Sequence, residues 1–108
     1  MYSFLLHSEI LHAINRYNSI MCEERFTLLD ANILCLIKSF HDHNQKFYMS
    51  NQELKQLFVS DPGTIQRSVD RLIRKGLITK EIEYIDMRKR RYLAYQSDAV
   101  NKLIQQYY

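Results

Sequence analysis

The placement of proline and glycine constrains the fold of this sequence more than any other feature. Its 108 residues include one proline and two glycines, and all three lie in "SNQELKQLFVSDPGTIQRSVDRLIRKGLI", residues 50–78. Proline is tolerated in the first turn of a helix, whereas glycine is favoured just after the last turn. Pro62, preceded by Asp61 as a cap, and Gly76 therefore predict the two ends of one helix of about four turns.

Capping signals predict two further helices ahead of it. Thr27 followed by Asp30 predicts the start of a helix over "LLDANILCLIKSF", whose many apolar positions suit the centre of a core. Ser50 followed by Glu53 predicts a short helix over residues 51–58. Between these two helices, the aromatic stretch "KFYM" predicts a brief extended segment.

After Gly76 the apolar pattern changes from helical to alternating. "LITKEIEYI" and "RRYLAY" flank the polar turn "DMRK", and this arrangement predicts a β-hairpin with a basic tip. A short helix, a tight turn, a longer helix and a hairpin together define a winged helix-turn-helix. We therefore predict a single domain over residues 1–108, mainly α with a small β-hairpin wing, whose expected partner is double-stranded DNA.

Amphipathic helices are predicted at both ends of the chain, over residues 1–26 and 97–108. Apolar side chains recur every three or four residues from Ser3 to about Met21, and Ser97 predicts the cap of the last helix. Their apolar faces exceed what the core of a winged helix needs, so pairing across a two-fold axis would bury them. We predict a homodimer whose interface contains Ile10, Ile14, Tyr17, Leu103 and Tyr107.

The net charge of +3 is concentrated in the middle of the chain. Residues 50–95 carry ten Lys and Arg against six Asp and Glu, residues 1–49 carry four against five, and residues 96–108 carry one of each. A local excess of positive charge is typical of a protein that binds nucleic acid, although an excess of this size also occurs on ordinary solvated surfaces.

Other function classes find little support in the sequence. It has no nucleophile with a base, no carboxylate pair, no metal-ligand set and no phosphate loop, so we predict no catalytic residue, no metal, no cofactor and no enzyme. Cys22 and Cys35 are expected to be small buried apolar residues, and His41 with His43 a solvated helix end. No apolar run reaches the roughly 20 residues of a membrane span, so we expect a cytoplasmic protein without membrane contact.

The helix that follows Pro62 has one apolar and one basic side. At about 100° per residue, Ile65, Val69, Leu72 and Ile73 cluster on one side. The opposite side suits the major groove, because arginine can contact guanine with two hydrogen bonds, glutamine can contact adenine, and a glycine lets the helix approach closely. The predicted groove residues are Gly63, Thr64, Gln66, Arg67, Arg71 and Arg74.

The tip of the predicted hairpin is strongly basic. Four consecutive cations occupy "RKRR" in a turn that must project from the domain. Such a tip fits beside a phosphate backbone or in a minor groove, where its charge adds affinity but little discrimination between bases. The predicted wing residues for DNA binding are Arg88, Lys89, Arg90 and Arg91.

These motifs resemble those of MarR-type winged-helix regulators over roughly residues 27–95. In that family a recognition helix that ends in a K/R-G-L-I phrase leads to a wing with a D-x-R element, which Asp86 and Arg88 match here. The resemblance implies an aspartate that steadies the wing and an arginine that contacts DNA. The sequence departs from the helix-turn-helix pattern at Lys55, where alanine is usual, and within "FVS", which lacks the usual turn glycine and so predicts a wider turn.

Three functions remain open from the sequence alone. The first is a homodimeric, sequence-specific DNA-binding transcriptional regulator. The second is an adaptor for plasmid partition or replication, which binds iterated DNA sites and recruits a motor or replication protein, because "FYMSNQELKQLF" and "TIQRSV" are similar to phrases in plasmid replication initiators. The third is a winged helix that binds only protein, against which the arginines of the helix and wing argue.

Overall fold

The computed structural model describes residues 27–107, together with His12 and Arg16, and side chains as far as Gln105. His12 and Arg16 are helical, and the rest of the predicted first helix lies outside the described residues. The elements in chain order are α1 (Leu28–Asp42), α2 (Asn51–Phe58), α3 (Pro62–Arg74), β1 (Ile78–Ile85), β2 (Arg88–Tyr95) and α4 (Ser97–Tyr107). This order confirms the prediction of a mainly helical fold with a β-hairpin.

Helix α1 starts at the predicted cap and crosses the core. The Thr27 hydroxyl accepts a hydrogen bond from the Asp30 backbone N–H, and the Asp30 carboxylate accepts one from the Thr27 N–H, both at 3.2 Å. The two reciprocal bonds satisfy donors that a helix start leaves unpaired. Farther along, Cys35 is fully buried, as predicted, and burial raises the pKa of its thiol to about 11.

The core lies between α1, α3 and the base of the hairpin. Phe47 crosses from the segment before α2, and its ring meets Phe40 edge to face at 5.0 Å. Side chains from every described element converge there and are almost fully buried: Ile33, Leu34, Ile37, Phe47, Leu54, Ile65, Val69, Leu72, Leu77, Ile78, Leu93 and Val100.

Helix α4 packs on the same core. It begins at Ser97 itself, so the prediction that Ser97 is its cap is wrong by one residue. Val100 is fully buried, and Leu103 and Ile104 pack against the core cluster. The expectation that the apolar face of this helix exceeds what the core needs is therefore wrong at Leu103, because α4 folds back onto the domain.

The turn between α2 and α3 is short. Only Val59, Ser60 and Asp61 separate the two helices, so the prediction of a wider turn is wrong. Val59 makes this tight connection possible because it adopts the left-handed conformation that a turn glycine normally provides, with φ 49° and ψ 57°. At the other end of α3, Gly76 has φ 73°, as predicted for a helix-ending glycine.

The hairpin is a regular two-stranded antiparallel sheet. Its register runs from Ile78 opposite Tyr95 to Ile85 opposite Arg88, which leaves a two-residue turn at Asp86 and Met87. Both turn residues have positive φ, 50° and 66°, as a type I′ turn requires. The base of the hairpin is buried against the helices and its outer half is exposed to solvent, so the turn projects from the domain.

A short third segment lies along the free edge of β2. Phe47 forms an isolated antiparallel bridge with Leu93, whose backbone N–H donates to the Phe47 carbonyl at 3.0 Å. This agrees with the extended segment predicted at "KFYM". Across residues 27–107, none of the helices is long and apolar enough to pass through a membrane.

Candidate nucleic-acid interface

The apolar side of α3 fixes this helix to the core. Ile65, Val69 and Leu72 are buried, so the side of the helix opposite to them faces solvent. Four of the predicted groove residues lie on this open side, namely Gly63, Gln66, Arg67 and Arg74. Thr64 is half-buried at its edge.

The N-terminal turn of α3 holds Arg67 in a defined position. The Asp61 carboxylate accepts hydrogen bonds from the Thr64 backbone N–H at 2.9 Å and from the Thr64 hydroxyl at 2.6 Å. The Thr64 hydroxyl in turn accepts one from Arg67 Nη2 at 3.2 Å. The hydrogen bonds from Thr64, together with the nearby charge of Arg67, lower the pKa of Asp61.

Gly63 leaves room for the Arg67 guanidinium. A Cβ atom added at Gly63 would lie 3.3 Å from Arg67 Nη1 and 3.3 Å from Asp61 Oδ1. The arginine therefore folds back over the first turn of the helix, close to the cap. A side chain at residue 63 would thus crowd both the guanidinium and the cap, at a position where glycine costs roughly 1 kcal/mol relative to alanine.

Arg71 is not part of the exposed face. Its side chain is only 9% exposed, and its Nε lies 2.5 Å from Oδ2 of Asp30, which is fully buried. Arg71 Nη2 donates to Asp30 Oδ1 at 3.3 Å, and the Ser68 hydroxyl donates to the same oxygen. The prediction of Arg71 as a groove residue is therefore wrong, because a buried carboxylate on α1 binds its guanidinium and joins α1 to α3.

A polar network connects α3 to the wing. The Gln66 carbonyl accepts from the Asn51 amide at the start of α2, and the Gln66 amide donates to Asp70 at 2.8 Å. On the other side of Asn51, its carbonyl accepts from Arg91 Nη2 at 3.5 Å. Gln66, which we predicted to contact a base, is therefore held in a defined orientation by its neighbours.

The four wing cations divide into two pairs. Arg88 and Lys89, next to the turn, are exposed, as predicted for a projecting tip. Arg90 is also exposed, but its guanidinium lies over the Tyr48 ring, 3.8 Å from the centroid. Arg91 is half-buried and donates to Asn51. The prediction that "RKRR" lies in the turn is wrong, because the turn is Asp86 and Met87 and all four cations belong to β2, where successive residues point to opposite faces.

A second cluster anchors the hairpin to the segment before α2. Glu83 lies opposite Arg90 in the register, and its carboxylate accepts from Lys46 Nζ at 2.6 Å and from the Tyr48 hydroxyl. These hydrogen bonds, first from Lys46 and then from Tyr48, lower the pKa of Glu83. Tyr92 adds an edge-to-face contact with Tyr48 at 5.9 Å. The cluster holds the wing against the segment that precedes α2.

Several residues that shape this surface carried only partial sequence signals. Asn51 follows the Ser50 cap, and Asp30 was predicted only as a cap residue. Glu83 could have been paired with Arg90 if the hairpin register had been counted outward from the turn, whereas the contact of Tyr48 depends on the chain path. Asp86, which the family resemblance implies steadies the wing, is the first residue of the turn, in a positive-φ conformation that aspartate tolerates.

The remaining predicted positions are placed as follows. Ile10, Ile14 and Tyr17 lie outside the described residues, as does the side chain of Tyr107. Near the end of α1, His43 Nδ1 lies 2.7 Å from the Ser39 carbonyl oxygen. Over the part of the chain that the structure describes, no three His, Cys, Asp or Glu side chains come together in a group that could hold a metal ion.

The comparisons with known proteins agree with this fold. Residues 26–78 match a family model described as a helix-turn-helix domain. The crystal structure of a Staphylococcus aureus MepR–DNA complex is similar with a TM-score of 0.53 and 14% identity, over 95% of this chain and 67% of that one. The transcriptional regulator BldR from Sulfolobus solfataricus is similar with a TM-score of 0.50 and 19% identity, over 94% and 65%. No curated protein sequence matches the chain.

The fold and the exposed cationic helix together define the class of this protein, a winged helix-turn-helix module. The resemblance to MarR-type regulators is confirmed at the level of the fold. The chain spans about two thirds of the length of each of the two similar structures.

Proposed function

We propose that the protein binds double-stranded DNA as a homodimer, with preference for a particular sequence, and acts as a transcriptional regulator. The observation that carries this proposal is the open side of α3, where Gln66, Arg67 and Arg74 are exposed on a helix fixed to the core. The neighbours of similar fold support it, since one is a DNA complex and another a transcriptional regulator.

Helix α3 enters the major groove and supplies the residues that contact bases. Arg67 lies in the N-terminal half of the helix, where base-contacting residues of such helices lie, and its guanidinium can donate two hydrogen bonds to guanine. Thr64 and Gly63 flank it and allow close approach. Arg74, two turns farther along the same side, is within reach of the phosphate backbone at the edge of the groove.

Gln66 contacts a base with a side chain that is already ordered in the unbound protein. Its carbonyl and amide are occupied by Asn51 and Asp70, and these are the two groups with which glutamine binds adenine. Binding to adenine exchanges these protein contacts for base contacts while the side chain keeps its direction. Less rotamer entropy is then lost on binding than for a freely moving side chain.

The exposed pair Arg88 and Lys89 supplies affinity from the wing. Both are next to the projecting turn and carry full charges, so they suit phosphate contacts beside the groove that α3 occupies. Arg90 and Arg91 instead hold the wing in place, through Tyr48 and Asn51.

A dimer would present two recognition helices to successive major grooves, about 34 Å apart. We propose that the N-terminal segment supplies the dimer contact through Ile10, Ile14 and Tyr17, with Tyr107 from the C-terminal helix. Ile14→Asp should then yield monomers in sedimentation velocity. His12 is helical and exposed, so His12→Asp is a matched charge control that should stay dimeric. An unchanged sedimentation profile for Ile14→Asp would contradict this interface.

Selection of bound sequences from a random duplex pool tests the function directly. The selected duplex and a scrambled duplex are then titrated with the wild type, with Arg67→Ala and with Lys102→Ala, which removes the same charge from an exposed position on α4. Arg67→Ala should weaken binding to the selected duplex by about 1–3 kcal/mol and to the scrambled duplex much less. Lys102→Ala should change neither by a comparable amount.

The selection also separates the proposed function from its alternatives. Recovery of no preferred sequence, or equal losses for Arg67→Ala on both duplexes, would sink the proposal that α3 reads sequence. Recovery of a site bound only as several tandem copies would favour the partition or replication adaptor. Absence of any duplex binding at low salt would leave a winged helix that binds protein.

A further inference from the structure

The outermost side chain of the wing is an exposed methionine. Met87 is the second residue of the hairpin turn, and its side chain is 98% exposed. Its φ of 66° lies in the left-handed region, and in a type I′ turn this position is most readily filled by glycine. The protein therefore keeps a large apolar side chain at a position where it costs backbone energy and gains no burial within the domain.

The surroundings of Met87 indicate a polyanionic partner. Arg88 and Lys89 follow it directly and are both exposed, so the apolar tip is bordered by positive charge. An apolar protein surface would offer these cations no counter-charge, whereas a nucleic-acid duplex offers phosphates on both sides of a groove. Charge complementarity thus favours DNA over a second protein as the group that covers Met87.

The shape of the hairpin tip fits the minor groove of DNA. A two-residue turn is the most slender end that a hairpin can have, and the minor groove of B-DNA is about 6 Å wide. Proteins that enter this groove frequently insert an apolar side chain, methionine among them, between two base pairs and kink the duplex. Methionine suits this role because it is unbranched, flexible and polarisable.

We propose that Met87 is an apolar wedge that enters the minor groove beside the site of α3, partly unstacks one base step and bends the DNA. This inference rests on the proposed DNA binding of the protein and goes beyond it. The wedge favours sites with an easily unstacked pyrimidine–purine step under the wing, a preference that arises without hydrogen bonds to bases.

The test uses Met87→Gly and Met87→Leu in the full chain. Glycine suits the turn, so Met87→Gly should raise the thermal midpoint of unfolding, and any loss of binding cannot then be attributed to misfolding. Its affinity for the selected duplex should fall about tenfold, as the burial of one methionine implies. The slope of log affinity against log salt should stay unchanged, because methionine carries no charge. Met87→Leu should retain most of the affinity.

Unstacking is measured in the DNA itself. A fluorescent adenine analogue, whose emission rises when it leaves the stack, replaces a base at the step that the wing protects from hydroxyl radicals. The wild type and Met87→Leu should raise its emission and shorten the end-to-end distance of the labelled duplex, and Met87→Gly should do neither. Leu57→Gln, which changes an exposed apolar side chain on α2, serves as the control and should behave as the wild type.

The outcomes distinguish the wedge from DNA binding as such. Equal affinity, emission and duplex length for the wild type and Met87→Gly, on a duplex that both bind, would overturn the wedge and leave the proposed function intact. A loss of affinity with no emission change in the wild type would also overturn it, since the methionine would then contact the duplex without unstacking it. Failure of the wild type to bind any duplex would overturn both proposals.

Discussion

The Asp30 carboxylate and the Arg71 guanidinium form an ion pair within the interface between α1 and α3, with Arg71 Nε 2.5 Å from Asp30 Oδ2. Asp30 has no exposed surface, and its two oxygens also accept hydrogen bonds from the Ser68 hydroxyl and from the Thr27 backbone N–H. One carboxylate thus caps α1 and orients α3. Arg67 and Arg71 belong to the same helix, so the ion pair of Asp30 with Arg71 also sets the direction in which Arg67 faces solvent.

Removal of one partner from this pair should be costly, because the other charge remains buried. Arg71→Met should lower the free energy of unfolding by about 3–5 kcal/mol, measured by urea denaturation followed by circular dichroism. Adding Asp30→Asn to that variant should recover part of the loss, since the uncompensated charge is removed while an oxygen remains for the Thr27 N–H. Arg67→Met, on the exposed side, should change stability by less than about 0.5 kcal/mol. Equal effects of Arg67→Met and Arg71→Met would contradict the buried pair.

Val59 should limit the stability of the domain. A β-branched residue at φ 49° is strained, and its 91% exposure means that it gains no burial in return. Val59→Gly should therefore raise the free energy of unfolding by about 1 kcal/mol. This value is the strain energy that the substitution relieves, minus the entropic cost of the added glycine in the unfolded chain. Gly76→Ala is the reverse substitution and should lower the free energy of unfolding by about 1 kcal/mol. No atom lies within 4 Å of the added Cβ, so this loss would reflect backbone strain alone. A destabilised Val59→Gly variant would refute the strain argument.

Most of the local structure was predictable because its signals lie within three or four residues. The caps at Thr27, Ser50 and Asp61 and the helix-ending Gly76 could all be assigned from the sequence, and the structure confirms them. Each is a short-range contact whose partner is close in the chain. Such contacts form whatever the rest of the fold does.

The candidate site was predicted less well because its decisive contacts are long-range. Asp30 and Arg71 are 41 residues apart, and periodicity alone places Arg71 on the side opposite to the apolar one, with Arg67 and Arg74. The network from Asn51 to Arg91 depends in the same way on how the hairpin folds against α2. A helical wheel indicates which side of a helix is basic, but not which of its cations another element neutralises.

The wing should loosen in acid through Glu83. Its pKa is lowered by hydrogen bonds from Lys46 and Tyr48, so folding favours the ionised form. The stabilisation is complete above the ordinary glutamate pKa of about 4.3 and is lost as the pH falls through the lower pKa of the folded state. Thermal unfolding at a series of pH values should show a steeper loss below about pH 4 for the wild type than for Glu83→Gln. Glu81→Gln, in the same strand, should keep the steeper loss, and parallel profiles for wild type and Glu83→Gln would rule out this role.

The exposed wing pair should contribute charge rather than sequence discrimination. Replacing both Arg88 and Lys89 by alanine should weaken binding to the selected and scrambled duplexes nearly alike, because phosphates are present at every site. The slope of log affinity against log salt should fall by roughly two per protomer, one for each counterion no longer released. Replacing Arg90 and Arg91 instead should alter the salt slope less and stability more, because these two side chains contact Tyr48 and Asn51. Titrations at several salt concentrations decide the matter: an unchanged slope for the Arg88 and Lys89 double variant would mean that the tip of the wing does not reach the DNA backbone.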